Sequence, residues 1–158
     1  MIDIGKQLQE TWAIHNRTML LTIRNIPDDA FAATLSTRGG RDIARQLAHV
    51  HNVRVWRVAS FAKKNKLPLA EFDKEESPPK SILMEAFEQS GTAMERYVGH
   101  CAENGGAAPN FKRGAAAMVG YYISHEAHHR GHLLLTMKQC GFRIPDALKW
   151  GIWEWNKI

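Results

Sequence analysis

The sequence predicts an all-α protein, specifically an antiparallel four-helix bundle of up-down-up-down order with a tryptophan-rich C-terminal segment packed on it. No window alternates apolar and polar residues with the period of two that marks a half-buried strand. Apolar residues instead recur every three or four positions in four segments of about 20 to 30 residues, separated by breaks rich in Pro, Gly or acidic residues. Four amphipathic helices bury their apolar stripes most economically in one shared core.

The first two helices are predicted around apolar stripes that each carry histidine. The first runs from Asp3 to Ile26 and ends before Pro27, with His15 on its stripe. After a loop that contains Gly39 and Gly40, the second helix runs from Ile43 to about Ala62. It contains His49 and His51.

The third and fourth helices follow similar start and stop signals. Ser77 and Pro78 form a suitable N-cap and first-turn pair for the third helix, which ends at Asn104. Pro109 and Asn110 are expected to open the fourth helix, which ends near Gly141. The stripe of the fourth helix comprises Met118, Tyr122, His125, His129, Leu133, Thr136 and Cys140.

Size and composition indicate one domain over residues 1–158, since 44% hydrophobic and 23% charged residues are values typical of globular proteins. No apolar run approaches the roughly 20 residues of a membrane span, and the N-terminus lacks the apolar core of a signal peptide. We therefore expect a cytoplasmic protein with no membrane partner. Cys101 and Cys140 lie far apart and outside any CxxC motif, so free, buried thiols are expected.

The net charge of +5 is a modest excess of basic residues. Those that could bind nucleic acid lie in or beside the second helix: Arg38, Arg41, Arg45, Arg54, Arg57, Lys63, Lys64 and Lys66. Because Asp42 interrupts them, a solvated helix face explains them better, and no nucleic-acid partner is predicted.

Half of the eight histidines fall within eight consecutive residues, from His125 to His132. At about 100° per residue, His125 and His129 point the same way one turn apart, which is a metal-clamp spacing. Glu126 and His128 flank this pair on opposite sides, and His132 lies one turn further along. Buried imidazoles need partners for their ring nitrogens, and a bound cation would satisfy both rings.

A third ligand must come from another helix, because two histidines hold a divalent ion poorly. His49 is the best placed, on a helix face beside the apolar seam, while His15 competes with it. His51 is rotated about 200° from His49 and is expected at the surface or hydrogen-bonded. If the second and fourth helices run parallel, the fourth must overhang by about 10 Å for the histidines to meet.

The string from His125 to His129 also matches HExxH, the zinc-peptidase motif in which Glu126 would be the general base. A histidine-rich helix produces this match easily. The extended form of the motif fails because His132 occupies the position of its glycine. A peptidase is therefore only a third interpretation.

The longer string HEAHHRGH (125–132), together with RQLAHVHNVR (45–54), resembles the DinB-like family of small metal-binding four-helix proteins. The resemblance implies a three-histidine site at His49, His125 and His129. His132 departs from the family pattern, where Gln is usual, and could serve as a fourth ligand or support the others. Related members include thiol-dependent S-transferases and isomerases, so the resemblance implies a low-molecular-weight thiol as cosubstrate.

Two functions follow from these expectations. In the first, a divalent ion (Zn, Ni, Fe or Mn) activates a thiol or water to attack a small electrophile, with Glu126, His128 or His132 carrying the proton. In the second, the protein is a non-catalytic stress-response protein in which the ion mainly holds the helices of the bundle together. A homodimer is also expected, from a second apolar line on the fourth helix (Ile123, Ala127 and Leu134) and from the three tryptophans of the tail.

Overall fold

The computed structural model describes residues 3–158, and this part of the chain contains α-helices, one short 3-10 helix at Asp28–Ala30 and no strand. The helices are α1 (Ile4–Asn25), α2 (Ile43–Lys64), α3 (Lys80–Glu103), α4 (Gly114–Gln139) and α5 (Asp146–Gly151). The four long helices pack together as one bundle, which confirms the predicted fold class.

Side-chain caps explain the starts of α1 and α2. The carboxylate of Asp3 accepts a hydrogen bond from the backbone N–H of Lys6 at 3.0 Å, and that of Asp42 accepts one from Arg45 at 2.7 Å. Each cap satisfies a backbone donor that the first turn of a helix leaves free. The predicted bounds of these two helices agree with the structure to within about two residues.

The predicted starts of the third and fourth helices were too early. The Ser77 hydroxyl does not cap α3; it donates a hydrogen bond to the Asp42 carboxylate at 2.7 Å. Residues 109–113 form turns before α4, because Asn110 and Gly114 have positive φ angles of 61° and 78°. Such left-handed backbone cannot continue a right-handed helix.

The helix directions differ from the predicted up-down-up-down order. Trp12 of α1 donates to the Gly91 carbonyl of α3, and Lys80 at the start of α3 reaches Ile26 at the end of α1, so these helices are antiparallel. The pairs Arg54 with Phe87 and Phe61 with His100 instead show that α2 and α3 run in the same direction. The order is therefore up-down-down-up.

A crossover segment, residues 65–79, makes this order possible. Its extended reach of about 50 Å exceeds the roughly 33 Å length of α2, so it can return along the whole helix. Three contacts trace this path: the Ala70 carbonyl with His51, Phe72 with Asn52, and Glu75 with Arg45.

The path of the crossover segment leaves α2 antiparallel to α4, with Arg57 near the end of α2 beside Met118 near the start of α4. The overhang of helix four predicted from parallel helices is consequently not needed.

The core has two apolar halves with a polar layer between them. One half includes Met19, Leu47, Phe87, Leu133 and Met137. The other includes Trp12, Val58, Met94, Met118 and Tyr122. The polar layer contains five buried side chains, His15, His51, Arg54, Ser90 and Glu126. A polar side chain that is buried to this extent costs folding free energy unless each of its polar atoms has a hydrogen-bond partner.

The C-terminal segment packs on the bundle through its aliphatic residues, Leu148 and Ile152, and not through its tryptophans. Trp150 and Trp153 are 61% and 73% exposed. Both cysteines are free, but Cys140 is exposed, so the expectation of a buried thiol was wrong there.

Within residues 3–158, no helix is both long and apolar enough to cross a membrane.

Candidate metal centre

Three histidines from two helices meet at one side of the bundle. His49 lies on α2, and His125 and His129 lie one turn apart on α4. One ring nitrogen from each lies within 4.8 Å of one from each of the others. The ring centroids are 4.7 Å apart for His125 and His129, and 5.1 Å apart for His49 and His129. The structure therefore brings together the three residues predicted as ligands.

The electrostatic environment keeps these imidazoles neutral. Burial lowers the pKa of His49, and the nearby charge of Arg41 lowers it further. Burial also lowers the pKa of His125, although Glu126 opposes this effect. For His129, burial followed by the neighbouring histidines lowers the pKa to about 4. Neutral imidazole is the form that coordinates a metal, so all three rings are in a ligating state near neutral pH.

Two buried ring nitrogens in the cluster need a partner. The Nδ1 atoms of His125 and His129 have no hydrogen-bond partner among residues 3–158. Buried polar atoms without partners are rare in folded proteins, and those that occur often belong to functional sites. The donor set fits a divalent ion of the zinc type, which accepts three imidazoles and keeps a fourth position open.

Glu126 lies in the polar layer of the core and not at the histidine cluster. Its carboxylate accepts two hydrogen bonds from Arg54, Nε to Oε1 and Nη2 to Oε2, both at 2.6 Å. His15 Nε2 donates to Oε2 at 2.9 Å. Burial alone would raise the pKa of Glu126, but the Arg54 charge and these hydrogen bonds lower it to about 2.

This position corrects two expectations about Glu126. A fully buried carboxylate whose two oxygens are taken by Arg54 and His15 cannot accept a proton from a ligand at the cluster. Glu126 is therefore not the proton carrier. The HExxH peptidase interpretation is wrong for the same reason, since its general base would have to be this side chain.

The sequence predicts a solvated helix face for Arg54, but the structure buries it beside the candidate site, where it pairs with Glu126. Its guanidinium is fully buried and stacks on Phe87 at 4.5 Å from the ring centroid. Its Nη1 donates to the Asn16 side chain at 2.7 Å. The Asn16 side chain fills the space that a side chain at Gly91 would need, since a Cβ there would come within 2.3 Å of it. The only sequence signal for a buried Arg54 was the acidic residue Glu126, which needs a basic partner when it is buried.

His15, the competitor for the third ligand, and His51 both have partners elsewhere in the core. His15 is bound to Glu126 inside the core, which removes it as the third ligand. His51 is buried, where its Nε2 donates to the Ala70 carbonyl at 2.8 Å and its Nδ1 accepts from the Ser90 hydroxyl at 3.1 Å. This agrees with the expectation of a hydrogen-bonded histidine and excludes the surface position.

His128 and His132 lie on the solvent side of the cluster. Both are exposed, with ring centroids 4.2 Å apart, and the His132 ring lies 6.4 Å from that of His129. Neither belongs to the set of nitrogens within 4.8 Å, so His132 is not a fourth ligand in this arrangement.

A groove of about 430 Å³ opens beside His49, between α2 and the crossover segment. It is lined by Arg41, Arg45, Ala48, His49, Asn52, Trp56, Glu71, Phe72, Asp73 and Lys74. A small molecule in this groove would lie next to the histidine cluster. The groove was absent from the sequence prediction because the path of the crossover segment creates one of its walls.

Comparison with known proteins supports the resemblance. No curated protein matches the chain with significance. The sequence does match the DinB family over residues 1–148, which include all four long helices and the three clustered histidines. Because the match covers nearly the whole sequence, the chain belongs to the DinB family.

Proposed function

We propose that this protein binds one divalent metal ion through His49, His125 and His129 and uses it in catalysis. The observation that carries the proposal is the convergence of three neutral imidazoles, with ligand atoms within 4.8 Å, at the edge of an open groove. A purely structural site would normally have four protein ligands, whereas three leave a position for an exchangeable one.

The proposed reaction is the transfer of a low-molecular-weight thiol to a small electrophile, or hydrolysis of that electrophile by water. A divalent ion held by neutral ligands supplies acidity, because it lowers the pKa of a water or thiol in its open position. The protein would supply the proton acceptors and the binding groove. His128 and His132 are the exposed bases beside the cluster and would accept the released proton, while the groove beside His49 would hold the electrophile.

The test is elemental analysis of protein that has been purified without a metal-affinity column. We expect about one divalent ion per chain in the wild type and its loss in His49→Ala, His125→Ala and His129→Ala. His128→Ala is the matched control, since it removes a histidine from the same helix that is outside the triad. Loss of metal from the control, or full metal content in His49→Ala, would contradict the proposed ligand set.

A second measurement distinguishes a catalytic ion from one that only stabilises the bundle. An open site should exchange water at the bound ion. Proton relaxation of water in a solution of the manganese-loaded protein would measure this exchange. A closed shell with no exchangeable water would favour the non-catalytic metal-binding function instead.

A further inference from the structure

The groove beside His49 contains an arginine without a protein partner. The Arg41 side chain is exposed and forms neither an ion pair nor a hydrogen bond with any other residue in the range 3–158. The other arginine of the groove, Arg45, is paired with Glu75. Arg45 also has a buried Nε without a partner among residues 3–158, but Arg41 is the groove arginine whose whole guanidinium is free for a ligand.

The backbone holds Arg41 at this position. It directly precedes Asp42, whose carboxylate caps α2. The preceding turn is closed by a hydrogen bond from the Gly40 N–H to the Ser36 hydroxyl at 2.8 Å, and Gly39 adopts a φ of +84° that favours glycine. The start of α2 thus fixes the base of the side chain.

Arg41 also lines two cavities, each of which contains one histidine. It lines the groove of about 430 Å³ that contains His49. It lines a second cavity of about 260 Å³ that contains His132. No other residue is shared by these two lining sets, so Arg41 lies at the boundary between the groove that contains His49 and the cavity that contains His132.

The charge of Arg41 is unfavourable beside a metal site. Arg41 lines the same groove as His49, so its positive charge would repel a divalent ion held there by neutral ligands. An anion placed between the guanidinium and the ion would be attracted by both. A negatively charged group in the groove would therefore offset this repulsion.

We propose that Arg41 binds the carboxylate of a small-molecule substrate whose reacting end reaches the metal in the groove beside His49. This inference rests on the proposed metal site and adds the substrate class to it. The planar guanidinium matches a carboxylate through two parallel hydrogen bonds. The groove lining has three cationic side chains against two anionic ones, Glu71 and Asp73, and a singly charged carboxylate would balance this excess of one positive charge.

Aromatic side chains in the groove define the body of that substrate. Trp56 is 53% exposed there, and its indole N–H donates to the Glu71 carboxylate at 2.6 Å, which holds the ring in place. Phe72 lines the same space. These rings favour a flat, apolar skeleton attached to the carboxylate.

Calorimetry with benzoate and its neutral isostere benzamide tests the proposal. Both would be titrated into zinc-loaded and metal-free protein, with inorganic phosphate as a third probe. We expect benzoate to bind about tenfold or more tightly than benzamide in both preparations, because a charge-assisted pair to Arg41 is present in each. Equal binding of benzoate and benzamide, or tighter binding of phosphate, would overturn the assignment of a carboxylate.

Variants at two nearby arginines complete the test. Arg41→Gln should weaken benzoate by about tenfold or more and leave benzamide unchanged. Arg38→Gln is the matched control, because Arg38 is exposed in the same loop and lines neither cavity. Benzoate binding in Arg41→Gln equal to that of the control would overturn the proposal.

Zinc content separates this failure from failure of the metal site. Zinc retained in Arg41→Gln leaves the proposed metal function standing whatever the benzoate result. If the wild type binds no zinc, the metal proposal fails, and the metal-free titrations still decide the role of Arg41.

Discussion

Arg54 and Glu126 form a bidentate ion pair that joins α2 to α4 beside the candidate metal ligands. Arg54 follows His49 by five residues on α2, and Glu126 lies between His125 and His129 on α4. With both donor atoms 2.6 Å from the carboxylate, the pair fixes how far one helix is displaced along the other. That displacement determines whether the histidines of the two helices meet.

Glu126→Gln is expected to destabilise the protein by about 3–5 kcal/mol, because it leaves the buried Arg54 charge without its partner. Urea unfolding followed by circular dichroism would measure this loss. The control is Glu88→Gln, at an exposed carboxylate on α3, which should change stability by less than about 0.5 kcal/mol. If the Glu126→Gln protein were as stable as the wild type but reacted slowly, Glu126 would have a catalytic role after all, against the argument from its burial.

Arg54→Met combined with Glu126→Gln should recover part of this loss. With both charges gone, neither group remains as an isolated buried ion, and the methionine can occupy the apolar space beside Phe87. The double variant should therefore be more stable than the sum of the two single changes implies. Strict additivity would contradict an energetic interaction between the two residues.

Acid should destabilise the metal-free protein between pH 6.5 and about 4. The pKa of His129 is lowered from 6.5 to about 4 in the folded state, so the unfolded chain binds the proton first. Stability therefore falls as the pH falls through this window. Urea unfolding across this range would measure the decline, which should be shallower in His129→Ala than in His128→Ala. An equal slope in the two variants would contradict the prediction.

A thiol should coordinate the proposed ion directly. Addition of 2-mercaptoethanol to cobalt-loaded protein is expected to produce a sulfur-to-cobalt charge-transfer band, because the open position accepts a thiolate. The band should be absent in His125→Ala and present in His128→Ala. A wild-type spectrum that does not respond to any thiol would leave water as the only nucleophile to consider.

His132→Gln should slow the transfer of a thiol to a chromogenic aryl halide by about 10²- to 10⁴-fold, the usual contribution of a general base. Metal content should not change, because His132 lies outside the triad of ligand atoms. Stopped-flow absorbance would give the rate, and His128→Gln tests the other exposed base. Unchanged rates in both variants would mean that the proton passes to solvent.

The exposed tail predicts association of two chains. Trp150 and Trp153 remain exposed, and the line of Ile123, Ala127 and Leu134 on α4 is only partly covered. Light scattering at micromolar concentration should give the mass of a dimer. Trp153→Ser should shift it toward the monomer, whereas Leu35→Ser, at another exposed apolar residue, should not. A monomeric wild type would contradict the prediction.

The sequence by itself determined the helices and the pair of histidines on α4. Apolar periodicity, caps such as Asp42 and breakers such as Pro27 act within a few residues, so their effects can be read locally. The spacing of His125 and His129 places both on one helix face for the same reason. His49 was expected to meet this pair and does so in the structure, although α2 was predicted to run parallel to α4 and is antiparallel to it.

Only the tertiary structure decided the helix directions, the roles of His15 and Glu126, and the groove. The course of residues 65–79 depends on contacts between distant parts of the chain, such as Phe72 with Asn52. A helical wheel places Glu126 beside the histidines, but whether it meets solvent or Arg54 depends on which helix packs against that face. Such pairings arise from burial and charge across the whole bundle, which local patterns do not contain.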